Sequence, residues 1–125
     1  MKILIIDDDE RIRELFRMWL EGEGFDIFEA ENGKQGVEVQ RDVLADVLIC
    51  DLLMPVQEGI ETMAKFREEF PMTTIIAISG GGKIGSDSYL TVAEYFGAWK
   101  VFRKPVDMKM LIKALYEVQH QNNLT

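Results

Sequence analysis

Short apolar runs alternate with longer amphipathic stretches along the whole chain. Three runs are compact, rich in β-branched residues and followed by polar residues, as buried parallel strands are; they cover residues 3–6, 47–50 and 74–78. Residues 25–30 alternate between polar and apolar positions, which is typical of a half-exposed edge strand, and residues 99–102 predict a last strand. The pattern therefore predicts five strands.

The intervals between the runs carry apolar residues at helical spacing. Helices are predicted at about residues 10–21, from an Asn32 cap to about 41, from beyond Pro55 to about 69, at about 87–96, and after an Asp107 cap. The inward faces predicted for the first and last helices are Ile12, Leu15, Phe16, Trp19 and Leu20, and Met108, Leu111, Ile112, Leu115 and Val118. Strands alternating with helices predict an α/β fold, in which residues 1–125 form one domain on a doubly wound parallel sheet and 119–125 form a polar tail.

Polar residues gather where the predicted strands end. Asp7, Asp8 and Asp9 follow the first strand, and the remaining polar ends are Asp51, Ser79 and Lys104. All carboxyl ends of a parallel sheet lie on one edge, and neighbouring strands are about 4.8 Å apart, so these side chains can converge. We therefore expect one small polar site at this edge.

The residue types at this edge suit phosphoryl transfer. Carboxylates held together raise one another's pKa, and a hard divalent cation, Mg²⁺ or Mn²⁺, relieves the repulsion. A carboxylate beside such a cation can attack phosphorus, while Lys104 and Ser79 neutralise the oxygens of the transferring group. Asp9 is better placed to cap the following helix. One cysteine and one histidine exclude a zinc site.

The composition narrows the remaining classes of function. A net charge of −8 argues against direct nucleic-acid binding. Hydrophobic residues make up 47% of the chain, enough for a sizeable core, and Cys50 is expected to be buried in it. No apolar run reaches the about 18 residues that cross a bilayer, and the N-terminus does not read as a signal peptide. A cytoplasmic protein is the default expectation.

At this point the chain resembles a known family, the receiver domain of bacterial two-component response regulators. The resemblance covers essentially the whole chain, and the chain is similar to the single-domain chemotaxis regulator within this family. It is carried by Ile3 to Glu10, Asp51-Leu52-Leu53-Met54-Pro55 with Gly59, Ile78-Ser79-Gly80, Gly97-Ala98 and Lys104-Pro105. The resemblance implies a flavodoxin-like sheet with strand order 2-1-3-4-5.

The resemblance also implies a role for each site residue. Asp51 matches the phosphoacceptor and, with Asp8 and the backbone carbonyl of Leu53, a direct ligand of the metal. Asp7 acts on the metal through water. The remaining matches are Ser79 for the switch hydroxyl, Lys104 for the phosphate-binding lysine and Pro105 for a proline with a cis peptide bond.

The partners implied are a sensor histidine kinase or a histidine phosphotransfer protein, with small donors such as acetyl phosphate. The family's output surface is formed by the fourth helix, the fifth strand and the fifth helix, where Tyr95, Trp99 and Lys100 are candidates for contact with a downstream protein. Trp99 packing into the sheet edge is an equal alternative. The chain is expected to be a signalling phosphoacceptor rather than an enzyme, without membrane or nucleic-acid partners.

The chain departs from the family pattern in two places that affect the expected switch around Ser79. Val101 stands three residues before the lysine, where the family often has Tyr or Phe, so the usual aromatic readout is missing. The stretch from Ser79 to Gly97 is longer than in the chemotaxis regulator and begins with three glycines, residues 80–82. Because glycine widens the accessible backbone conformations, a displaced, mobile loop is predicted here.

A third departure predicts slow loss of the phosphoryl group. Leu53 and Gly81 follow Asp51 and Ser79 by two residues, and neither side chain can orient an attacking water by hydrogen bonding. Leu53→Asn should therefore shorten the lifetime of the phosphorylated protein, measured as phosphate release after removal of the donor. An unchanged lifetime would contradict this explanation.

Two alternative functions stay open from the sequence. A haloacid-dehalogenase-type phosphatase also has an Asp-x-Asp after its first strand, and there Asp7 would be the nucleophile; the threonine usual two residues after the second Asp is Arg11 here. A pseudo-receiver that binds partners without accepting phosphate is the other. The chain either stands alone or belongs to a longer protein.

Overall fold

A computed structural model of the chain describes residues 1–52, 56–80 and 94–123, apart from the side chains of 56 and 57. The elements in chain order are β1 (Lys2–Ile6), α1 (Glu10–Gly22), β2 (Asp26–Ala30), α2 (Gly33–Val43), β3 (Val47–Asp51), α3 (Val56–Glu69), β4 (Thr74–Ser79), β5 (Ala98–Arg103) and α4 (Met108–Asn123). The helix predicted at about 87–96 lies almost entirely outside the described residues, as does most of the predicted glycine-rich loop.

The five strands form one parallel sheet in the order β2-β1-β3-β4-β5. This confirms the predicted strand order and the half-exposed edge strand at β2. The register places Asp51 beside Ile78, and Ser79 beside Arg103, at the carboxyl edge of the sheet. The order changes direction at β1 and β3, so a crevice opens where these two strands end.

Each strand contributes to two hydrophobic layers, one on each face of the sheet. On β1, Ile3 and Ile5 pack with Phe16 of α1 and with α4, whereas Leu4 and Ile6 pack with α2 and α3. Both faces of β1 are shielded from residue 3 to residue 6, which explains why these four positions form an unbroken apolar run. Burial of each such side chain contributes about 1.5–3 kcal/mol to folding before entropy is counted.

Three helices begin at the capping residues predicted from the sequence. The Asp9 carboxylate accepts a hydrogen bond from the backbone N–H of Arg11 at 2.9 Å. Asn32 accepts from the N–H of Gln35 at 2.8 Å, and Asp107 accepts from the N–H of Lys109 at 3.0 Å. Each bond satisfies a donor that the first helical turn leaves without a partner.

The buried face predicted for α1 was wrong in detail. Leu15 and Trp19 of α1 are 45% and 44% exposed, so the buried face is narrower than predicted and centres on Phe16 and Leu20. One residue turns an α-helix by about 100°, which carries Leu15 and Trp19 off the sheet. Within residues 119–125, which were predicted as a polar tail, Gln119 to Asn123 continue α4, because no proline or glycine ends the helix after its last buried residue. Among the described residues no helix is long and apolar enough to cross a membrane.

Gly36 of α2 lies against the last residue of β1, Ile6, which is completely buried. A Cβ atom at position 36 would lie 2.8 Å from Cγ1 of Ile6 and would clash with its Cδ1. Gly36→Ala should therefore lower the free energy of unfolding by about 1–3 kcal/mol, as overpacking does. Urea denaturation measures the change.

The matched control is Gly22→Ala at the end of α1, where an added Cβ meets nothing within 4 Å. This variant should be unchanged or more stable by about 0.4–1 kcal/mol. If Gly36→Ala were as stable as Gly22→Ala, the close packing of α2 on β1 would be contradicted.

Candidate functional site

The site lies at the carboxyl edge of the sheet, in the crevice between the ends of β1 and β3. Asp7 and Asp51 are 3% and 2% exposed, because each directly ends a buried strand, whereas Asp8 on the following loop is exposed. Carboxylate oxygens of Asp7, Asp8 and Asp51 all lie within 4.8 Å of one another. These three residues are called the acidic trio below.

The donor chemistry of the acidic trio fits a hard divalent cation. All its ligand atoms are carboxylate oxygens, which suit Mg²⁺ or Mn²⁺. Two of the carboxylates are buried, so their mutual repulsion is weakly screened and a cation would relieve it. Asp9 is not part of the trio, because its carboxylate caps α1. The backbone carbonyl of Leu53, implied as a third protein ligand, lies outside the described residues.

Asp7 is held in place by the neighbouring backbone. Its N–H donates to the carbonyl of Ala30 at 3.2 Å, and its Oδ1 accepts from the N–H of Asp9 at 2.8 Å. Its second carboxylate oxygen, Oδ2, lies 3.7 Å from Nζ of Lys104. One oxygen therefore fixes the loop while the other faces the site.

Lys104 supplies the positive charge at the site. Its Nζ lies 3.3 Å from Oδ2 of Asp51, and its own N–H donates to the carbonyl of Ser79 at 2.9 Å. The peptide bond between Lys104 and Pro105 is cis, as the family resemblance implied. β5 and the turn after it thus deliver an ammonium group to the two buried carboxylates.

Burial is the largest influence on Asp7 and raises its pKa from 3.8 to about 6. The hydrogen bond from the Asp9 N–H lowers the pKa, the charge of Asp51 raises it, and the charge of Lys104 lowers it. In the absence of a cation, Asp7 is therefore a buried acid that favours its protonated form below about pH 6.

The raised pKa of Asp7 predicts a pH-dependent stability of the metal-free protein. The folded state binds the proton more tightly than the unfolded state, so this contribution is present below about pH 4 and is lost as pH rises through about 6. The loss amounts to as much as about 3 kcal/mol. Asp7→Asn keeps an acceptor for the Asp9 N–H and should remove this dependence.

Urea unfolding in EDTA at about pH 5 and about pH 8 measures the effect. The stability of Asp7→Asn relative to wild type should rise as pH rises. An identical difference at both pH values would contradict the raised pKa. Asp26→Asn, at the opposite edge of the sheet, is the control for a lost carboxylate.

Ser79 ends β4 beside the acidic trio and is completely buried. Within the part of the chain that the structure describes, its hydroxyl oxygen has no hydrogen-bond partner. A buried polar group left in this way costs about 1–3 kcal/mol. The hydroxyl is therefore a donor available to a ligand that enters the crevice.

The residues predicted for the switch and for the output surface lie on β5 and just before it. Val101 is half-buried on β5 and packs against the layer under α2 and α3, while Phe102 packs against the opposite layer. Tyr95 and Trp99 are exposed, at 76% and 38%, and Lys100 lies 4.8 Å above the Trp99 ring. Cys50 is buried as predicted, and burial raises its pKa to about 12.

Sequence reasoning did not single out Arg13, which contacts the site, or Glu29, which holds Arg13. Arg13 of α1 donates to the backbone carbonyl of Asp7 and is paired with Glu29 of β2. Sequence periodicity places Arg13 on an exposed helix face, and no local pattern reveals a partner on a later strand. This contact requires the packed arrangement of α1 on the sheet.

The fold and the site together define a doubly wound α/β protein in which a cluster of three carboxylates, able to hold a metal ion, faces a lysine. A sequence model described as the response regulator receiver domain matches residues 3–116, and the chain belongs to this family. The haloacid-dehalogenase alternative receives no support from this match.

Similar proteins include transcriptional regulatory proteins. ResD of Bacillus subtilis is 38% identical over 98 residues, covering 71% of this chain and 40% of ResD. SrrA of Staphylococcus aureus is 39% identical over 82 residues, covering 66% of this chain and 34% of SrrA. The chain therefore spans less than half the length of either relative. A receiver domain structure from Clostridium thermocellum is 27% identical with a TM-score of 0.87, covering 98% of this chain and 97% of that one.

Proposed function

We propose that this chain accepts a phosphoryl group on Asp51 from a sensor histidine kinase or a histidine phosphotransfer protein, with Mg²⁺ or Mn²⁺ bound at the acidic trio. The observation that carries the proposal is the placement of the buried Asp51 carboxylate, within reach of one cation shared with Asp7 and Asp8 and 3.3 Å from the Lys104 ammonium. Membership of the receiver family supports the same assignment.

In the proposed step, a carboxylate oxygen of Asp51 attacks the phosphorus of a phosphohistidine. The Asp51 O–P bond forms as the P–N bond breaks, and the electron pair stays on an imidazole whose other nitrogen carries a proton, so the ring leaves neutral. Lys104 neutralises an oxygen of the transferring group, and the Ser79 hydroxyl donates to another. Both side chains are already at the crevice, and Ser79 gains the acceptor that it lacks among the described residues.

The cation ligands that we propose are Asp8, Asp51 and the backbone carbonyl of Leu53, with Asp7 acting through water. When bound, the cation neutralises charge on the oxygens of the transferring group. Asp7 keeps one oxygen on the Asp9 N–H, which supports an indirect role for it. The exposed Asp8 can turn toward the cation at little cost, since its side chain is not packed.

Phosphorylation is proposed to alter a surface that a downstream protein binds. The candidate surface includes Trp99 and Lys100 of β5 together with Tyr95, and the exposed Met110 of α4 adjoins it. The chain acts as a cytoplasmic signalling phosphoacceptor that also loses its own phosphoryl group slowly, rather than as an enzyme with a separate substrate. A role in transcription, suggested by the names of ResD and SrrA, belongs to the same proposal.

Intact-mass measurement with a small donor tests the proposal without a partner protein. Wild-type protein incubated with acetyl phosphate and Mg²⁺ should gain the mass of one phosphoryl group, and hydroxylamine should remove it, as expected for an acyl phosphate. Excess EDTA in place of Mg²⁺ should prevent the gain. Absence of an adduct with Mg²⁺ would favour the pseudo-receiver alternative, and an equal adduct in EDTA would contradict the cation site.

A further inference from the structure

Arg13 joins three parts of the chain at the edge of the acidic trio. It lies in α1, near the start of the helix, and its Nη1 donates to the backbone carbonyl oxygen of Asp7 at 2.6 Å. Its Nε donates to Oε1 of Glu29 on β2 at 3.1 Å. The Arg13 side chain is only 13% exposed, so water competes weakly for these bonds.

The carbonyl that Arg13 binds belongs to the peptide unit between Asp7 and Asp8. This unit is planar, so a hydrogen bond that fixes its oxygen also fixes the backbone from which Asp8 begins. The Asp7 N–H is held separately by the carbonyl of Ala30. The exposed Asp8 side chain can turn, so this backbone sets the position from which its carboxylate reaches the site.

Glu29 holds the guanidinium group of Arg13 in turn. Its second oxygen, Oε2, accepts from Nε of Arg17 at 2.7 Å, and Arg17 also donates to Glu21 at 2.6 Å. Glu29 stands beside Ile5 of β1, one residue pair before the strand ends. The Glu29 carboxylate is therefore bonded to α1 while its backbone lies in the sheet. It can orient the Arg13 guanidinium group toward the loop that follows β1.

We propose that Arg13 is a positioning residue for the cation site: with Glu29 as its anchor, it fixes the backbone position from which the Asp8 side chain reaches toward the Asp7 carboxylate. This inference rests on the proposed function. The positioning role and the charge of Arg13 predict opposite changes in cation affinity when Arg13 is replaced. Removing a nearby positive charge would by itself strengthen cation binding, because one repulsion is lost. Loss of a positioning residue should instead weaken it, by about tenfold for a supporting group of this kind.

The experiment measures Mn²⁺ affinity of the unphosphorylated protein by the electron paramagnetic resonance signal of the free ion. Arg13→Met keeps the aliphatic stem and removes both hydrogen bonds, and its Mn²⁺ affinity should fall about tenfold. Arg13→Lys keeps one donor group and should retain more affinity than Arg13→Met. The phosphorylation rate of Arg13→Met with acetyl phosphate should recover at saturating Mn²⁺, because the chemical groups are intact.

The control is Arg41→Met, which breaks an ion pair with Glu69 on α3, away from the site, and should leave Mn²⁺ affinity unchanged. Glu29→Gln tests the anchor and should also weaken binding, although less than Arg13→Met. If Arg13→Met does not fold, Arg13→Lys and Glu29→Gln decide the question. Urea unfolding of every variant separates lost affinity from lost stability.

Wild-type affinity in folded Arg13→Met, or tighter binding than wild type, would overturn the positioning role. If the phosphorylation rate of Arg13→Met with acetyl phosphate stayed low at saturating Mn²⁺, the positioning role would be overturned as well. Wild-type protein that bound no Mn²⁺ and accepted no phosphoryl group would overturn the proposed function and this inference together. The small donor keeps effects on protein docking out of all these measurements.

Discussion

Asp51→Asn should abolish phosphorylation of this chain by acetyl phosphate, a loss of more than about a thousandfold in rate. The amide lacks the charged oxygen that attacks phosphorus, and it is a poorer ligand for a divalent cation. Asparagine has the same size as aspartate, so the buried end of β3 should stay packed. Lys104 keeps a carboxylate neighbour in Asp7, at 3.7 Å.

The measurement is intact mass over time with acetyl phosphate and Mg²⁺, and the matched control is Asp26→Asn. Asp26 begins β2 at the opposite edge of the sheet and is exposed, so its variant should be phosphorylated like wild type. A phosphoryl adduct on Asp51→Asn at the wild-type rate would contradict the assignment of Asp51. Loss of the adduct in both variants would indicate a general effect of lost negative charge.

Lys104→Met should slow phosphorylation and strengthen cation binding at the same time. The Lys104 ammonium lies 3.3 Å from Asp51 and 3.7 Å from Asp7, so it competes with a cation for the same two carboxylates. Without it the acidic trio binds Mg²⁺ more tightly. The transferring phosphoryl group, however, loses a preorganised positive charge, which typically costs about 10²–10³ in rate.

Titration with Mn²⁺ and the rate of mass gain with acetyl phosphate measure the two effects separately. Lys100→Met provides the control, because Lys100 is on the same strand but faces Glu117 at 3.4 Å. Both quantities should stay at the wild-type level in Lys100→Met. A Lys104→Met protein with unchanged affinity and unchanged rate would show that the lysine takes no part in the site.

The carboxyl-edge site was predictable from sequence, although its members are far apart in the chain. Asp51 and Lys104 are separated by 53 residues, yet Asp51 directly follows a predicted strand and Lys104 comes two residues after another. A parallel sheet places all such positions on one edge, so recognising the strands was sufficient to bring the residues together. The strand order itself came from the family resemblance, and the observed order confirms it.

Other features required knowledge of the packed molecule. The spacing of apolar residues in α1 could not show that Leu15 and Trp19 lie beyond the part of the helix that the sheet covers. The bond from Arg13 to Asp7 depends on the angle at which α1 lies against β1 and β2. Its anchor, Glu29, is 16 residues further along the chain and follows no motif.

The burial of the Ser79 hydroxyl is another feature that the sequence could not predict. The sequence placed this hydroxyl at the end of β4, but only the structure shows a completely buried oxygen without a partner among the described residues. Burial depends on the neighbouring strands and not on local pattern. The consequence is functional, because such a group gains most from a ligand that accepts its hydrogen bond.

Direct localisation of the phosphoryl group tests the central claim most sharply. Wild-type protein treated with acetyl phosphate and Mg²⁺ would be reduced with borohydride, which converts an aspartyl phosphate to homoserine, and then digested for peptide mass mapping. Homoserine should be found at position 51 and should be absent when Mg²⁺ is replaced by EDTA. Homoserine at position 7 or 8 with aspartate retained at 51 would contradict the account and favour a phosphatase-type nucleophile on the first loop.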